Sequence, residues 1–443
     1  MARTYAIETF GCQMNVHDSE RMAGLLEEAG FEPADNSDTA DVVVLNTCSV
    51  RERAEEKVYS RLGELRRAGA LRSEPPLIAV AGCVAQQEGA ALLKRAPFVD
   101  VVVGTRARRH LPTLIGQAER TRRAVVDIEP HDDMSFPLGL VHRGDPVRAS
   151  IAIIEGCNDA CAFCVVPYTR GRERMRASVE ILDEVREAIS KGHKEIQLLG
   201  QIVNHYRAPD DPACDFPALL ERVDAVPGVR RIRFASPHPR HVTTRLVHAI
   251  RDLPRVCKHL HLPVQSGSSN VLAAMRRRHT REDYLSLVAE IRLAVPGIAL
   301  STDMIVGFPG ETDEDFDATR SLAAAVRFDS MFSFRYSERP NTFAGKHLKD
   351  AVPDAVKAGR LVALQKLQRD IQLQLHGEMV GTLAEVLVDA QSRRRAQEMS
   401  GRTTGNVVVN FPGAPGLLGR MVQVRILRGG PNSLWGEVVH VAP

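Results

Sequence analysis

The middle of the chain alternates between strand-like and helix-like segments, and this alternation restricts the fold more than any other feature. The strand-like runs are apolar: RASIAIIEG (148–156), KEIQLLG (194–200), RIRFAS (231–236), HLHLPV (259–264), IALSTDMIVG (298–307) and MFSFRYS (331–337). Between them lie amphipathic segments such as SVEILDEVREAISKG and TREDYLSLVAEIRLAV, whose apolar residues recur at helical spacing. Six such units predict an α/β fold with a parallel sheet rolled into a partial barrel, short of a full eight-fold one.

Length and composition place this barrel in a larger globular protein. The 443 residues leave room for about three domains of about 150 residues each. Hydrophobic residues at 44% and charged residues at 26% exclude a wholly disordered or coiled-coil chain. The start, MARTYAIETFGC, resembles no export signal, and no run of about 18 apolar residues occurs, so we expect a cytoplasmic protein without a membrane partner. The net charge of +3 is too small to indicate a nucleic-acid partner by itself.

Three of the eight cysteines directly follow the first strand of the predicted barrel. Cys157, Cys161 and Cys164 have the spacing C-x3-C-x2-C. Because the chain has no export signal, these thiols are expected to persist as ligands or nucleophiles in a reducing compartment. Three thiolates in one loop favour a four-iron cluster with one iron open to a substrate. Zinc is the alternative, but a closed zinc site needs four ligands and no matching fourth ligand is near in sequence.

The cysteine loop GCNDACAFC, at the end of a barrel strand, resembles the signature of the radical S-adenosylmethionine (SAM) superfamily. The resemblance implies a [4Fe-4S] cluster on Cys157, Cys161 and Cys164, whose open iron binds SAM. One-electron reduction would then cleave SAM to a 5′-deoxyadenosyl radical. The resemblance also implies cofactor contacts in this loop and at the strand ends, with the candidates Phe163, Gly200, Gln201, Ser236, Gln265, Asp303 and Gly307. Ordinary turn chemistry explains each strand-end residue equally well when it is taken singly.

Residues 1–128 repeat the alternation on a smaller scale and predict a Rossmann-like α/β domain, with strands at TYAIETFGC, DVVVLNTC, LIAVAGC and VDVVVGT. Cys12, Cys48 and Cys83 each stand at or just after the carboxyl end of a strand. Because those ends share one edge of a parallel sheet, the three cysteines are expected to converge there and to hold a second cluster. The alternative is three unrelated buried cysteines, since a free cysteine is a common core residue.

The segments around these three cysteines resemble the methylthiotransferase family, and the likeness runs over essentially the whole chain. It is carried by ETFGCQMNVHDSERM, LNTCSVRERAEEKV and AVAGCVAQ. GCQMNVHDSE together with NTCSVRE looks like the branch that makes 2-methylthio-N6-isopentenyladenosine in tRNA. One departure is QIVNHY (201–206), where an asparagine is expected nearer to Gln201.

This resemblance implies a transferase that inserts sulfur at carbon 2 of the adenine and methylates it. It implies two [4Fe-4S] clusters, SAM, an external one-electron reductant, and tRNA that carries isopentenyladenosine next to the anticodon. Branches that act on threonylcarbamoyladenosine of tRNA, or on a ribosomal protein, are the alternatives. A non-catalytic iron–sulfur RNA-binding module is the alternative from another class.

The C-terminal part of the chain changes pattern. The segment 129–146, rich in prolines and glycines, predicts a connection, and the radical SAM domain is expected over 145–377 with a long final helix. Short alternating strands over 378–443 predict a small antiparallel β-barrel, which resembles the RNA-binding TRAM domain. From Gly381 onward the sequence contains seven arginines and four acidic residues.

Two groups of arginines are candidates for contacts with RNA phosphates. One lies in the tail and the other follows the cysteine loop: Arg393, Arg394 and Arg395, and Arg170, Arg172, Arg174 and Arg176. The alternative for the tail is a solvated arginine loop in an ordinary barrel.

Overall fold

The computed structural model describes residues 2–49, 52–131 and 141–441, without the side chains of 52–55. It confirms the predicted fold class. These residues form two compact units, which divide the chain as follows: Met1–Gly144, Ile154–Ala160 and Cys164–Arg176 in the first unit; Asp145–Ile153, Cys161–Phe163 and Ala177–Pro443 in the second. Most of the predicted connection, 132–140, lies outside the described residues. No helix of the described part has the length and apolar character needed to cross a membrane.

The first unit is built on a parallel sheet with the strand order β2-β1-β3-β4-β5-β6. The strands are β1 (Thr4–Phe10), β2 (Glu32–Pro33), β3 (Val42–Thr47), β4 (Leu77–Gly82), β5 (Val101–Val103) and β6 (Val125–Asp127). The helices are α1 (Gln13–Glu28), α2 (Glu52–Gly69), α3 (Cys83–Glu88), α4 (Ala91–Arg95) and α5 (Leu111–Thr121). Alternate residues of β3 enter two different cores: Val42 and Val44 enter one, Val43 and Leu45 the other. A sheet covered on both faces explains why its strands read as continuous apolar runs.

The structure adds elements that the sequence pattern did not indicate. The chain from Cys83 onward forms two short helices, α3 and α4, which are separated near Gly89, whose φ of +52° favours glycine. A Cβ atom at this position would also come within 2.8 Å of Ile128. Helix α5 and strand β6 follow the last strand that was predicted, and β6 adds one more strand to the edge of the sheet.

The predicted strand 148–156 consists of two elements. Strand β7 (Arg148–Ala152) belongs to the second unit. The short strand β8 (Ile154–Glu155) pairs with β9 (Arg174–Met175) and, with helix α6 (Val166–Thr169), belongs to the first unit. The chain that flanks the barrel cysteines is therefore part of the N-terminal unit.

The second unit contains the partial barrel. Its strands are β7, β10 (Glu195–Leu199), β11 (Arg231–Phe234), β12 (His259–His261), β13 (Ala299–Val306) and β14 (Ser330–Arg335). They form two parallel sheets, β7-β10-β11 and β12-β13-β14, and a parallel bridge between Ile232 and Val256 continues the first sheet toward β12. The helices are α7 (Ser178–Ser190), α8 (Phe216–Asp224), α9 (Thr244–Asp252), α10 (Ser269–Ala274), α11 (Arg281–Ala294), α12 (Asp313–Val326), α13 (Phe343–His347) and α14 (Asp354–Glu378). The predicted six-unit barrel is thereby confirmed.

The tail forms the predicted small barrel, closed in the order β15-β16-β17-β19-β18. Its strands are β15 (Leu383–Gln391), β16 (Glu398–Thr403), β17 (Val408–Pro412), β18 (Met421–Gly429) and β19 (Leu434–Val441). Within the second unit it is held by Arg233 of β11, which pairs with Glu195 at 2.9 Å and donates a hydrogen bond to the carbonyl oxygen of Thr403 at 2.6 Å. The tail barrel is anchored to the strands of the larger barrel through buried charge.

Candidate functional site

The structure brings Cys12, Cys48 and Cys83 together at one edge of the N-terminal sheet. Cys12 follows β1 and precedes α1, Cys48 follows β3, and Cys83 begins α3 immediately after β4. Strands β1, β3 and β4 are neighbours in the sheet, so their carboxyl ends lie side by side. Cys48 and Cys83 are buried and Cys12 is partly exposed. The convergence that was expected from the strand ends is present in the fold.

The Cys12 thiol is strongly acidic. A hydrogen bond with Cys48 is the main cause that lowers its pKa to about 5, and the positive charge of Arg170 lowers it further against the opposing effect of burial. Cys83 is different, because burial raises the pKa of its thiol. Cys12 is therefore a thiolate at neutral pH and is ready to bind a cation.

Two buried asparagines fix the backbone around these thiols. The side-chain oxygen of Asn15 lies 3.3 Å from the Cys12 sulfur, and its amide nitrogen donates to the carbonyl oxygen of Thr47 at 3.1 Å. Asn46 donates to the carbonyl oxygen of Asn15 at 2.7 Å. These bonds tie the segment after β1 to the end of β3. Asn15 lies in the GCQMN segment, but the sequence pattern alone indicates no role for either asparagine.

The glycines that precede two of the cysteines are required by close packing. Gly82 has a φ of +91°, and a Cβ atom there would lie 2.4 Å from the side-chain oxygen of Asn46. At Gly11 a Cβ atom would lie 2.5 Å from the side-chain oxygen of Asn15. Any larger residue at either position would displace the asparagines that hold the thiol-bearing loops.

Arg170 lies in the interior beside these thiols. Its Nη2 atom donates to Asp18 at 2.7 Å, and its Nη1 atom lies 3.4 Å from Glu155. Arg108 pairs with the same Glu155 at 2.8 Å. Burial alone would raise the pKa of Glu155, but the charge and hydrogen bond of Arg108, together with the charges of Arg170 and Arg21, outweigh burial and hold the pKa at about 2. Paired charges thus surround the thiol edge.

This burial corrects part of the RNA-contact prediction. Arg170 and Arg176 are each only 3% exposed, so phosphates cannot reach them. Arg174 is half-buried and lies 3.6 Å from Glu155, whereas Arg172 is exposed. Arg170 and Arg174 lie beside buried acidic residues, Asp18 and Glu155, and the sequence pattern alone does not indicate these pairings.

The barrel cysteines occupy a loop with defined backbone contacts on both sides. Gly156 has a φ of +83°, and the amide of Cys157 donates to the carbonyl oxygen of Gly171 at 3.1 Å. The amide of Asp159 donates to the Cys157 sulfur at 3.4 Å. Within the second unit, the amide of Ala162 donates to Met275 at 2.9 Å, which fixes the backbone beside Cys161. Phe163 packs against a hydrophobic cluster of the same unit.

Arg277 is a charged neighbour of Cys161 that sequence analysis did not identify. Its Nη1 atom lies 3.6 Å from the Cys161 sulfur, and Nη2 donates to the carbonyl oxygen of Pro263 at 2.8 Å. The residue is 6% exposed. A buried guanidinium beside this sulfur stabilises any negative charge that a cluster at this loop acquires.

Five of the candidate SAM-binding residues follow barrel strands, and a sixth, Asp303, lies within one. Gly200 and Gln201 follow β10, Ser236 follows β11, Gln265 follows β12, Asp303 lies in β13 and Gly307 follows β13. Ser236, Gln265 and Gly307 have φ values of +63°, +75° and +72°. The side-chain oxygen of Gln201 is buried and has no hydrogen-bond partner among the described residues. A buried acceptor of this kind suits a polar ligand such as SAM.

Not every strand-end group is available to a ligand. The amide of Gly307 donates to Glu311 at 2.6 Å. Within QIVNHY, Asn204 exchanges hydrogen bonds with the backbone of His238 at 2.8 and 3.0 Å. This pair ties the segment after β10 to the segment after β11. Contact of these residues with SAM stays a prediction.

The tail arginines stand on the surface between β15 and β16. Arg393, Arg394 and Arg395 are exposed, and Arg395 pairs with Glu398 at 2.9 Å. Glu398 also accepts a hydrogen bond from Trp435 at 2.9 Å. Exposed guanidinium groups on a small barrel can meet phosphates, in contrast to the buried arginines of the first unit.

Comparison with known families agrees with this geometry. Residues 4–104 match the Uncharacterized protein family UPF0004, residues 151–323 the Radical SAM superfamily, and residues 377–439 the TRAM domain. A radical SAM methyltransferase from Kitasatospora setae, TsrM, has a similar fold, with a TM-score of 0.58 and 17% identity over 78% of this chain and 77% of that one. The barrel and its cysteine loop define a radical SAM enzyme.

Relatives of full length specify the family. The tRNA-2-methylthio-N(6)-dimethylallyladenosine synthase of Solibacter usitatus is 45% identical over 98% of both chains. The synthase of the same name from Geotalea uraniireducens is 47% identical, again over 98% of both chains. The chain belongs to the family of tRNA-2-methylthio-N(6)-dimethylallyladenosine synthases, which confirms the resemblance found in the sequence. Membership of the radical SAM superfamily implies a [4Fe-4S] cluster and SAM.

Proposed function

We propose that this protein is a tRNA methylthiotransferase that replaces the hydrogen at carbon 2 of N6-isopentenyladenosine, next to the anticodon, with a methylthio group. The convergence of Cys12, Cys48 and Cys83 at one sheet edge carries the proposal. A radical SAM barrel alone has one set of cluster ligands, whereas insertion of sulfur needs a second place at which sulfur is held. The names of the relatives favour this branch over the alternatives that act on threonylcarbamoyladenosine or on a ribosomal protein.

The residues of the barrel loop suit their part in this reaction. Cys157, Cys161 and Cys164 would hold three irons of a cluster through their sulfur atoms, and the fourth iron would be available to the amino and carboxylate groups of SAM. When bound, the cluster and SAM supply a 5′-deoxyadenosyl radical that abstracts hydrogen from carbon. Gln201 offers a buried acceptor at the end of β10, and Arg277 holds positive charge against Cys161. These side chains orient the cofactor and shield it from water.

The N-terminal thiols suit a second [4Fe-4S] cluster. Cys12 is already deprotonated at neutral pH, and Arg170 compensates negative charge at Cys12 and Cys83 from within the protein. The donor set of three thiols leaves one iron of such a cluster open, and that iron would supply a site for the sulfur that is transferred. The buried asparagines hold the loops so that the thiols keep their spacing.

The remaining partners follow from the chemistry. Reductive cleavage of SAM needs an external one-electron reductant. The exposed arginines Arg393 and Arg394 and the partly engaged Arg395 supply positive charge for tRNA phosphates on the TRAM-like barrel. Since its substrate is tRNA, we assign the enzyme to the cytoplasm.

The decisive experiment measures modified nucleosides and SAM cleavage together. Mass spectrometry of tRNA from cells that lack this chain should show N6-isopentenyladenosine without the methylthio group, and its expression should restore the product. A variant with Cys12→Ala, Cys48→Ala and Cys83→Ala should keep the barrel cluster and still release 5′-deoxyadenosine with a strong reductant, but form no methylthio product.

Cys214→Ala with Cys257→Ala is the matched control, because both thiols are buried within the second unit and the sequence assigns them no cluster. This control should retain the product. Methylthiolation by the triple variant at the rate of the parent protein would show that the N-terminal cysteines are structural and would overturn the proposal.

A further inference from the structure

Two histidines and one aspartate form a compact group in the first unit, apart from the thiols. His110 directly precedes α5, Asp127 ends β6, and His131 follows four residues later. One donor atom from each residue lies within 4.8 Å of the other two. The side chains are 33%, 17% and 28% exposed in the same order, so water can enter but the group is partly enclosed.

The distances suit a small divalent cation. Oδ2 of Asp127 lies 3.0 Å from Nδ1 of His110 and 3.3 Å from Nε2 of His131. Zinc holds nitrogen and oxygen ligands at about 2.0–2.2 Å in a tetrahedron, which places neighbouring donor atoms about 3.3 Å apart. The distances from Asp127 to His110 and to His131 are therefore already close to those between neighbouring ligand atoms of a tetrahedral ion.

Each ligand is also held by its own support. His131 is fixed through its backbone, since its amide donates to Glu129 at 3.0 Å and its carbonyl oxygen accepts from Arg174 at 3.1 Å. Asp127 is the last residue of a paired strand. The imidazoles approach edge to face, with ring centroids 4.3 Å apart and planes at 82°, so their nitrogen atoms point inward without stacking.

We propose that His110, Asp127 and His131 bind a divalent transition-metal ion, Zn²⁺ being the ion that suits them best. Two imidazoles and one carboxylate leave at least one coordination position for water. The ion would clamp the start of α5 to the end of β6. The ion would lie at the carboxyl edge of the sheet, where Cys83 follows β4. Because β6 is two strands from β4, the ion would be about 10 Å from Cys83 along the sheet.

The hydrogen bond of Arg109 with His110 opposes binding of the ion. Its Nε atom donates to Nε2 of His110 at 3.1 Å, which keeps the ring proton on Nδ1. An ion on Nδ1 requires the proton to move to Nε2, so Arg109 must release the ring. Removal of this guanidinium by Arg109→Ala should therefore tighten binding of the ion, whereas removal of a ligand should weaken it.

The test uses the anaerobically reconstituted protein, so that clusters occupy the cluster-binding cysteines. Isothermal titration with Zn²⁺ should show a site that His110→Gln or His131→Gln weakens by more than about 100-fold, since loss of a supporting hydrogen bond alone costs 10–100-fold. His142→Gln is the matched control, because His142 pairs with Glu27 at 3.0 Å in the same unit and belongs to no such group.

Thermal unfolding provides a second readout. Zn²⁺ should raise the melting temperature of the parent protein and of His142→Gln, and leave that of His110→Gln unchanged. Folding of each variant is checked by circular dichroism before titration, and Asp127→Asn replaces any variant that does not fold. Equal affinity for Zn²⁺ in the parent and in the ligand variants, or no binding by the parent, would overturn the proposal.

Discussion

Arg170 and Asp18 form a buried ion pair in the first unit, with Nη2 of the arginine 2.7 Å from Oδ2 of the aspartate. The pair joins the first turns of α1, which begins beside Cys12, to the segment that follows the barrel cysteines. Burial alone would lower the pKa of Arg170, but Asp18 and the nearby thiols raise it, so the side chain stays charged. A permanent positive charge is thereby held beside the three-thiol edge.

The acidity of Cys12 gives the first prediction. In the cluster-free protein, alkylation of Cys12 by iodoacetamide should be independent of pH above about pH 6, because the thiol has a pKa of about 5. Cys48→Ala removes the largest cause of this shift and should move the midpoint of the profile toward the ordinary value of 9.0. Mass spectrometry of the modified peptide measures the rate. An unchanged midpoint in Cys48→Ala, with Cys214→Ala as control, would contradict the assignment.

The same shift predicts how the stability of the cluster-free first unit depends on pH. The folded-state pKa of Cys12 lies below that of the unfolded chain, so the thiolate stabilises the fold fully above about pH 9. This contribution is lost as the pH falls toward 5. Cys12→Ala should remove that part of the pH dependence in denaturation experiments, whereas Cys214→Ala should retain it.

The positions of the cysteines were predictable from sequence because parallel strands end at a common edge. The convergence of Cys12, Cys48 and Cys83 follows from the strand pattern and this rule alone. The roles of the arginines were not predictable in the same way. Arg170 is 152 residues from Asp18 in sequence, and Arg277 is 116 residues from Cys161. Whether an arginine faces solvent or a buried acid depends on pairings that one sequence does not reveal.

The second prediction concerns Arg277 as a positioning residue for the barrel cluster. Its guanidinium, 3.6 Å from the Cys161 sulfur, stabilises the more negative reduced state. Arg277→Met should therefore lower the midpoint potential by about 60 mV or more, which corresponds to about 1.4 kcal/mol for one electron. Redox titration followed by electron paramagnetic resonance measures the potential directly.

Arg278→Met is the control for this shift. Arg278 is the next residue in the chain and is exposed, so the control removes the same side chain without removing a buried charge beside the sulfur. The barrel cluster of Arg278→Met should have the same midpoint potential as that of the parent protein. The same potential in Arg277→Met would exclude an influence of this residue on the cluster.

The third prediction concerns the exposed tail arginines. Replacement of Arg393, Arg394 and Arg395 by Gln should weaken binding of tRNA and reduce the salt slope by about 0.7–0.9 for each lost phosphate contact. Filter binding at several salt concentrations measures both. The control is a second triple variant, Arg320→Gln, Lys366→Gln and Arg369→Gln, which removes the same charge from the exposed surface of α12 and α14. It should change neither the affinity for tRNA nor the salt slope. Equal slopes for the two triple variants would remove the RNA role assigned to this loop.

The last prediction concerns the anchoring of the tail barrel. Arg233→Met leaves Glu195, which is 1% exposed, without one of its cationic partners and removes the hydrogen bond to Thr403. We expect this change to destabilise the second unit by about 3–5 kcal/mol, as is usual when one member of a buried pair is removed. Arg245→Met breaks an exposed pair with Asp215 and should cost less than about 1 kcal/mol. Denaturation by urea and limited proteolysis after α14 distinguish the two. If Arg233→Met were as stable as Arg245→Met, the tail barrel would not depend on the pair of Arg233 with Glu195. Deletion of the tail barrel would then be a cleaner test of RNA binding than replacement of its arginines.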